Sequence, residues 1–149
     1  MSPPVFTSMS DSQTIDPQAL DRLREWGGQK LVGQMVRLFL ENSGMRMDQI
    51  RTGTENADMP EAERGAHSLK SSAANVGAEL LRTLSTRIET AALEERPEEA
   101  KRLLPELEVA YEAAMRELAA LEQSMIREAG ATNAEVGGGE AVVEEGMHE

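Results

Sequence analysis

His67 and Lys70 stand three residues apart in the stretch Ala66-His67-Ser68-Leu69-Lys70-Ser71-Ser72-Ala73-Ala74-Asn75-Val76-Gly77-Ala78, and His67 is one of two histidines in 149 residues. A neutral imidazole nitrogen is a good nucleophile near pH 7 and, unlike a serine hydroxyl, forms a labile bond to phosphorus. Phosphoryl transfer demands mostly alignment and charge stabilisation, and Lys70 supplies a cation within one helical turn. The pair suits the acceptance and release of a phosphoryl group. A solitary helical histidine with a lysine three residues later is nevertheless common by chance, so the surrounding pattern must decide.

That pattern is helical. At about 100° per residue, with His67 at zero, Ala62, Ala66, Leu69, Ala73 and Val76 fall on one arc centred near 220°. This arc should be buried, which places His67 roughly 140° from its centre and facing water. Lys70, Ser71 and Ala74 crowd around the imidazole. They leave the ring open to something as large as another protein. Ser71 and Ser72 can equally be read as small packing residues, and Met35, Phe39, Leu69 and Leu84 as core.

The elements that position this helix can be read in order. Residues 1–14 are rich in Ser, Pro, Thr and Gln without helical spacing and are expected to form a disordered lead-in. Asp16-Pro17 reads as an N-cap with proline in the first turn, opening a short helix through Leu20, Leu23 and Trp26 that Gly27-Gly28 stops. Leu31, Val32, Met35, Leu38, Phe39, Asn42, Met45 and Ile50 then predict a long amphipathic helix from 29 to about 55, locally weakened by Gly44 and Gly53. Asp58 or Met59 caps the next helix, with Pro60 in its first turn. Glu61 and Glu63 suit its positive end.

After a bend at Asn75-Val76-Gly77, Leu80, Leu81, Leu84, Ile88, Ala91 and Ala92 mark a stripe to about residue 95. Pro97 restarts the chain in a last helix with the near-heptad stripe Leu103, Leu104, Leu107, Tyr111, Ala114, Leu118, Leu121 and Met125. Pro105 predicts a kink, or a start nearer 101. From 128 the chain carries six glutamates and no Lys or Arg, half the total net charge of -12. This tail, 128–149, is expected to be disordered.

Leu, Ala, Met and Val dominate the apolar residues, and the aromatics are only Phe6, Trp26, Phe39 and Tyr111. No strand is predicted. The pattern implies an all-α protein, an up-down four-helix bundle over 15–127 with a short N-terminal helix and disordered termini. A charge of -12 argues against nucleic acid or an anionic membrane as partner, since both require a basic surface. Without cysteine there is no disulfide and no thiolate chemistry. Neither a signal peptide nor an 18-residue apolar run is present, so a cytoplasmic location is expected. No nucleotide-binding loop is visible, and no second histidine or cysteine stands near His67, so neither a metal nor a cofactor is expected.

His67, Leu69, Lys70, Ser72 and Gly77 together resemble the signature helix of the histidine-containing phosphotransfer (HPt) domain, which reads roughly His-x-Leu-Lys-Gly-Ser followed by a glycine. Ser71 stands where that family usually has glycine, the residue that lets a partner's backbone come close. The resemblance implies a phosphocarrier, without kinase activity of its own, that takes a phosphoryl group on the Nε2 side of His67 from one receiver-domain aspartate and passes it to another. Lys70 would neutralise the phosphoryl oxygens, with Arg64, Ser71, Ser72, Ala74 and Glu89 near the site. Position 89 is commonly glutamine in the family. The implied partners are receiver domains of response regulators or of a hybrid histidine kinase, which would supply the aspartate and Mg²⁺ to a monomeric carrier. Ser71 and Glu89 keep open an alternative, a degenerate docking module that regulates its partner without phosphotransfer. An enzyme using His67 as base or intermediate ranks last, because no convergent acid or pocket-forming loop is visible.

Overall fold

The computed structural model describes residues 14–148, with side chains described for 14–130. The 1–13 part of the expected lead-in lies outside the described residues, as do nearly all side chains of the acidic tail.

Two acidic caps and two glycines set the helix boundaries. Asp16 opens α1 (Pro17–Glu55) by accepting the N–H of Gln18 at 3.0 Å, with Pro17 in the first turn. Gly28 breaks α1 with φ 75 and ψ -172, a conformation that favours glycine, so the short first helix survives as the segment before the break. Asp58 caps α2 (Met59–Val76) by accepting from the N–H of Glu61 at 3.2 Å, and Pro60 fills its first turn. Gly77 ends α2 in the left-handed conformation with φ 79. A Cβ there would also lie 2.8 Å from both Ala19 Cβ and the Asp16 carbonyl oxygen.

Helices α3 (Glu79–Leu93) and α4 (Pro97–His148) complete the chain. Each helix packs on the next and α4 returns to α1, which closes the ring of an up-down four-helix bundle. Leu69, Met47, Ile50, Ile88, Leu103 and Leu107 meet at its centre, fully buried. Arg51 on α1 donates two hydrogen bonds to Glu108 on α4, at 2.6 and 2.9 Å. That bidentate contact holds the Glu108 carboxyl below its ordinary range against the opposing effect of burial. Among the described residues the sole extended pairing is an isolated bridge between Ile15 and Ala78, so no strand forms.

Three expectations require correction. Leu38, Asn42 and Met45 are exposed; the buried line of α1 runs Val32, Val36, Phe39, Ser43, Met47, Ile50 and Thr54. Two apolar lines lie side by side on α1, and the buried one is disguised by Ser43 and Thr54. Leu80 and Trp26 are likewise exposed rather than core. The last helix begins at Pro97 rather than nearer 101, and Pro105 lies inside it. Pro105 sits on the solvent face, where water can satisfy the carbonyl that lacks its usual N–H partner.

Gly53 also does something other than weaken its helix. A Cβ at that position would lie 2.5 Å from the Ala62 backbone nitrogen and 2.9 Å from the Asp58 carbonyl oxygen. Both are backbone atoms and cannot swing aside, so Gly53 allows α1 and α2 to approach closely. Gly53→Ala is expected to destabilise the bundle by about 1–3 kcal/mol despite alanine's better helix propensity, read as a lower midpoint in urea unfolding.

Candidate functional site

The α2 arc expected to be buried is buried: Ala62, Ala66, Leu69 and Ala73 have no exposed surface and Val76 has 1%. That packing fixes the rotation of α2 and turns His67 outward with 58% of its side chain exposed. Beneath the ring, α3 contributes Glu89, the one charged side chain buried among the described residues, at 8% exposure.

His67 Nδ1 lies 2.7 Å from Glu89 Oε2, and Lys70 Nζ donates to Glu89 Oε1 at 2.7 Å. Burial is the largest influence on the Glu89 carboxyl and disfavours its charge, but the hydrogen bonds and charges of Lys70 and His67 together outweigh it and hold the group below its ordinary range. An ionised carboxylate can only accept, so the ring proton of a neutral His67 resides on Nδ1. The free lone pair is then on Nε2, on the far side of the ring from Glu89. In that tautomer the unprotonated ring nitrogen is the one turned away from Glu89.

Glu63, one turn before His67, completes the surroundings of the ring. Glu63, His67 and Glu89 each offer an atom within 4.8 Å of the others, a grouping the sequence reading did not include. The i, i+4 spacing of Glu63 and His67 was the available signal. Within that grouping both Glu89 oxygens are already engaged, one by His67 and one by Lys70.

The other residues singled out in the sequence occupy the flank of α2. Ser71 and Ala74 are exposed, and Arg64 pairs along its own helix with Glu61 instead of reaching the ring. Ser72 and Asn75 line a groove of about 200 Å³ with Met35, Leu38 and Asn42 of α1. The exposed Leu38 and Met45 extend the apolar surface along α1. A partner reaching His67 over this flank would therefore meet small residues first and apolar ones beside them.

The described residues form an all-helical bundle with His67 turned outward on its surface. Residues 34–124, more than half of the chain, match the Hpt domain family model, and the chain belongs to that family. No curated protein sequence matches it significantly. Among solved structures it is similar to histidine-containing phosphotransfer protein B (HptB) from Pseudomonas aeruginosa PAO1, with 21% identity, a TM-score of 0.69 and coverage of 74% of this chain and 96% of that one. It is also similar to the histidine-containing phosphotransfer protein ZmHP2 from maize, with 19% identity, a TM-score of 0.66 and coverage of 84% and 94% respectively. At such identities the likeness concerns the fold. Among the described residues, no helix is long and apolar enough to cross a membrane.

Proposed function

We infer that this protein is a phosphocarrier of a multistep His-Asp relay. Nε2 of His67 attacks the phosphorus of a receiver-domain aspartyl phosphate, the aspartate carboxylate leaves, and the reverse reaction on a second receiver releases the group. The observation that carries this reading is the bond from Nδ1 to the buried Glu89, which leaves Nε2 unpartnered and outward beside Lys70. The catalytic aspartate and the divalent cation belong to the partner. This chain contributes the acceptor, a cation and a docking face, and its place is the cytoplasm, where receiver domains act.

The Lys70 ammonium has three donors, of which Glu89 takes one, so two remain for phosphoryl oxygens. Docking uses the flank with Ser71, Ser72, Ala74, Leu38 and Met45, and a receiver covers it as a monomer-to-monomer contact. Leu38→Arg is expected to slow transfer from a receiver about tenfold, the effect of losing an apolar interface contact, while leaving thermal stability unchanged because Leu38 is half exposed.

The experiment that tests the function is transfer from a panel of phosphorylated receiver domains to the purified chain, scoring acid-labile, base-stable label. Labelling that can be chased into a second receiver is the expected result. Receivers that bind tightly but never label the chain would replace the carrier reading with a docking module, and Ser71 and Glu89 are the residues that would then explain it.

A further inference from the structure

We propose that Glu63 is a specificity-determining residue that pairs across the interface with a lysine or arginine side chain of the docking receiver. The inference rests on the phosphocarrier reading and names the partner chemistry that the same site selects.

Glu63 lies one turn before His67 on α2, partly buried, with a carboxylate oxygen within 4.8 Å of both a His67 ring nitrogen and a Glu89 carboxylate oxygen. Glu89 is compensated there by Lys70 at 2.7 Å. Glu63 is not: among the described residues no hydrogen bond or ion pair reaches its side chain. The cations of the neighbouring helices are committed elsewhere. On α2, Arg64 pairs with Glu61. On α1, Arg51 is taken by Glu108 and Asp48, and Arg46 by Gln49. On α3, Arg82 pairs with Glu79, and Arg87 acts on Glu99 of α4.

Two carboxylates within 4.8 Å of each other, with one cation to serve both, leave one negative charge uncompensated beside the acceptor ring. That charge opposes the reaction the site is read to perform. A phosphoryl group arrives at His67 as an anion, and a carboxylate near the ring repels it unless the partner that delivers it brings a positive charge to the same place. A receiver that carries such a cation gains an attractive contact and removes the repulsion in one step. A receiver with a neutral or acidic residue there gains nothing and meets the full repulsion. One carboxylate thus favours the right partner and disfavours the wrong one.

The position of Glu63 also gives docking a direction. The groove lined by Ser72 and Asn75 with Met35 and Leu38 lies on the C-terminal side of His67, and Glu63 lies on the N-terminal side. At about 1.5 Å per residue, Glu63 and Ser72 are about 14 Å apart along α2. The matching receiver surface carries an apolar contact and a cation about that far apart, with the phosphoaspartate between them. A receiver docked in the reverse sense would set its apolar contact against Glu63.

The test uses the full chain with His148→Gln, which leaves His67 as its one histidine, and compares it with the same chain carrying Glu63→Gln. No bond of the fold is lost, so the variant keeps the bundle. Two donors are used: a phosphorylated receiver domain that labels the parent, and phosphoramidate, a small donor with no docking surface. Glu63→Gln is expected to slow transfer from the receiver about fivefold at low salt, the scale of one interfacial charge contact, and the loss should shrink towards parity at about 0.5 M salt. Loading by phosphoramidate should be unchanged or faster, because only a repulsion has gone. Receiver transfer at the parent rate would overturn the proposal. So would an equal slowing with both donors, which would place the action of Glu63 on the ring itself. Calorimetric binding of Zn²⁺ to the parent that disappears in Glu63→Gln would also overturn it, by giving the carboxylate a metal ion in place of a partner side chain. If no receiver labels the parent, the carrier reading is what fails. The same comparison is then made on receiver affinity, where Glu63→Gln should weaken binding about fivefold and equal affinity would overturn the proposal.

Discussion

His67→Gln is expected to abolish acid-labile, base-stable labelling by any phosphorylated receiver domain, while shifting folding stability by no more than about 0.5 kcal/mol. The separation of the two effects follows from the geometry. His67 contributes nothing to the core, since 58% of its side chain is exposed and its rotation is set by Ala62, Ala66, Leu69, Ala73 and Val76 on the opposite face. A glutamine amide N–H can still donate to Glu89, so the buried carboxylate keeps both partners. What disappears is the imidazole that the proposed transfer requires, and no cysteine is present in the chain to substitute for it. Phosphotransfer gels run beside a urea unfolding curve measure both quantities. Labelling of the variant at the parent rate would place the acceptor elsewhere.

The histidine face was legible in the sequence because α2 separates its residue types sharply: alanine, leucine and valine on one arc, serine, lysine and histidine on the other. The caps were legible for a similar reason, since Asp16-Pro17 and Asp58-Met59-Pro60 each combine a side-chain acceptor with a residue that needs no N–H partner. On α1 the same method mixed two lines: Val32, Phe39 and Ile50 are buried as expected, whereas Leu38, Asn42 and Met45 are exposed. Met35, Leu38, Asn42 and Met45 recur at helical spacing as cleanly as Val36, Phe39, Ser43 and Met47, and periodicity cannot tell which of two adjacent lines faces the core. Exposure of Leu38, Asn42 and Met45 beside the α2 groove is what a partner surface would require. Gly53 was misread because a sequence carries helix propensity but not the 2.5 Å approach of a neighbouring backbone. Glu89 could be counted into place, yet its relation to Lys70 depends on two helices meeting, and that is a tertiary fact.

Lys70→Ala is expected to lower receiver-dependent transfer to and from His67 by about 10²-fold, the usual scale for removing one donor aimed at developing phosphoryl or oxyanion charge. Unlike the histidine variant, it should also destabilise the fold, because Glu89 is left buried with His67 as its remaining partner. With Lys70 itself 31% exposed, solvent screening reduces this cost to about 1–2 kcal/mol, below the full value for breaking a buried pair. The sign of its pH dependence is fixed by Glu89. In the parent chain the folded-state carboxyl is held below its unfolded value, so the stabilisation is present above about pH 4.3 and is lost as pH falls through the folded value. The stability gap between parent and variant should therefore be widest at neutral pH and close in acid. Adding Glu89→Gln to Lys70→Ala removes the stranded charge and is expected to recover most of the stability, while transfer stays slow because the phosphoryl oxygens still lack their cation. Urea unfolding at several pH values, set beside transfer rates, separates the two contributions. Full recovery of transfer in the double variant would mean that Lys70 acts only by holding Glu89.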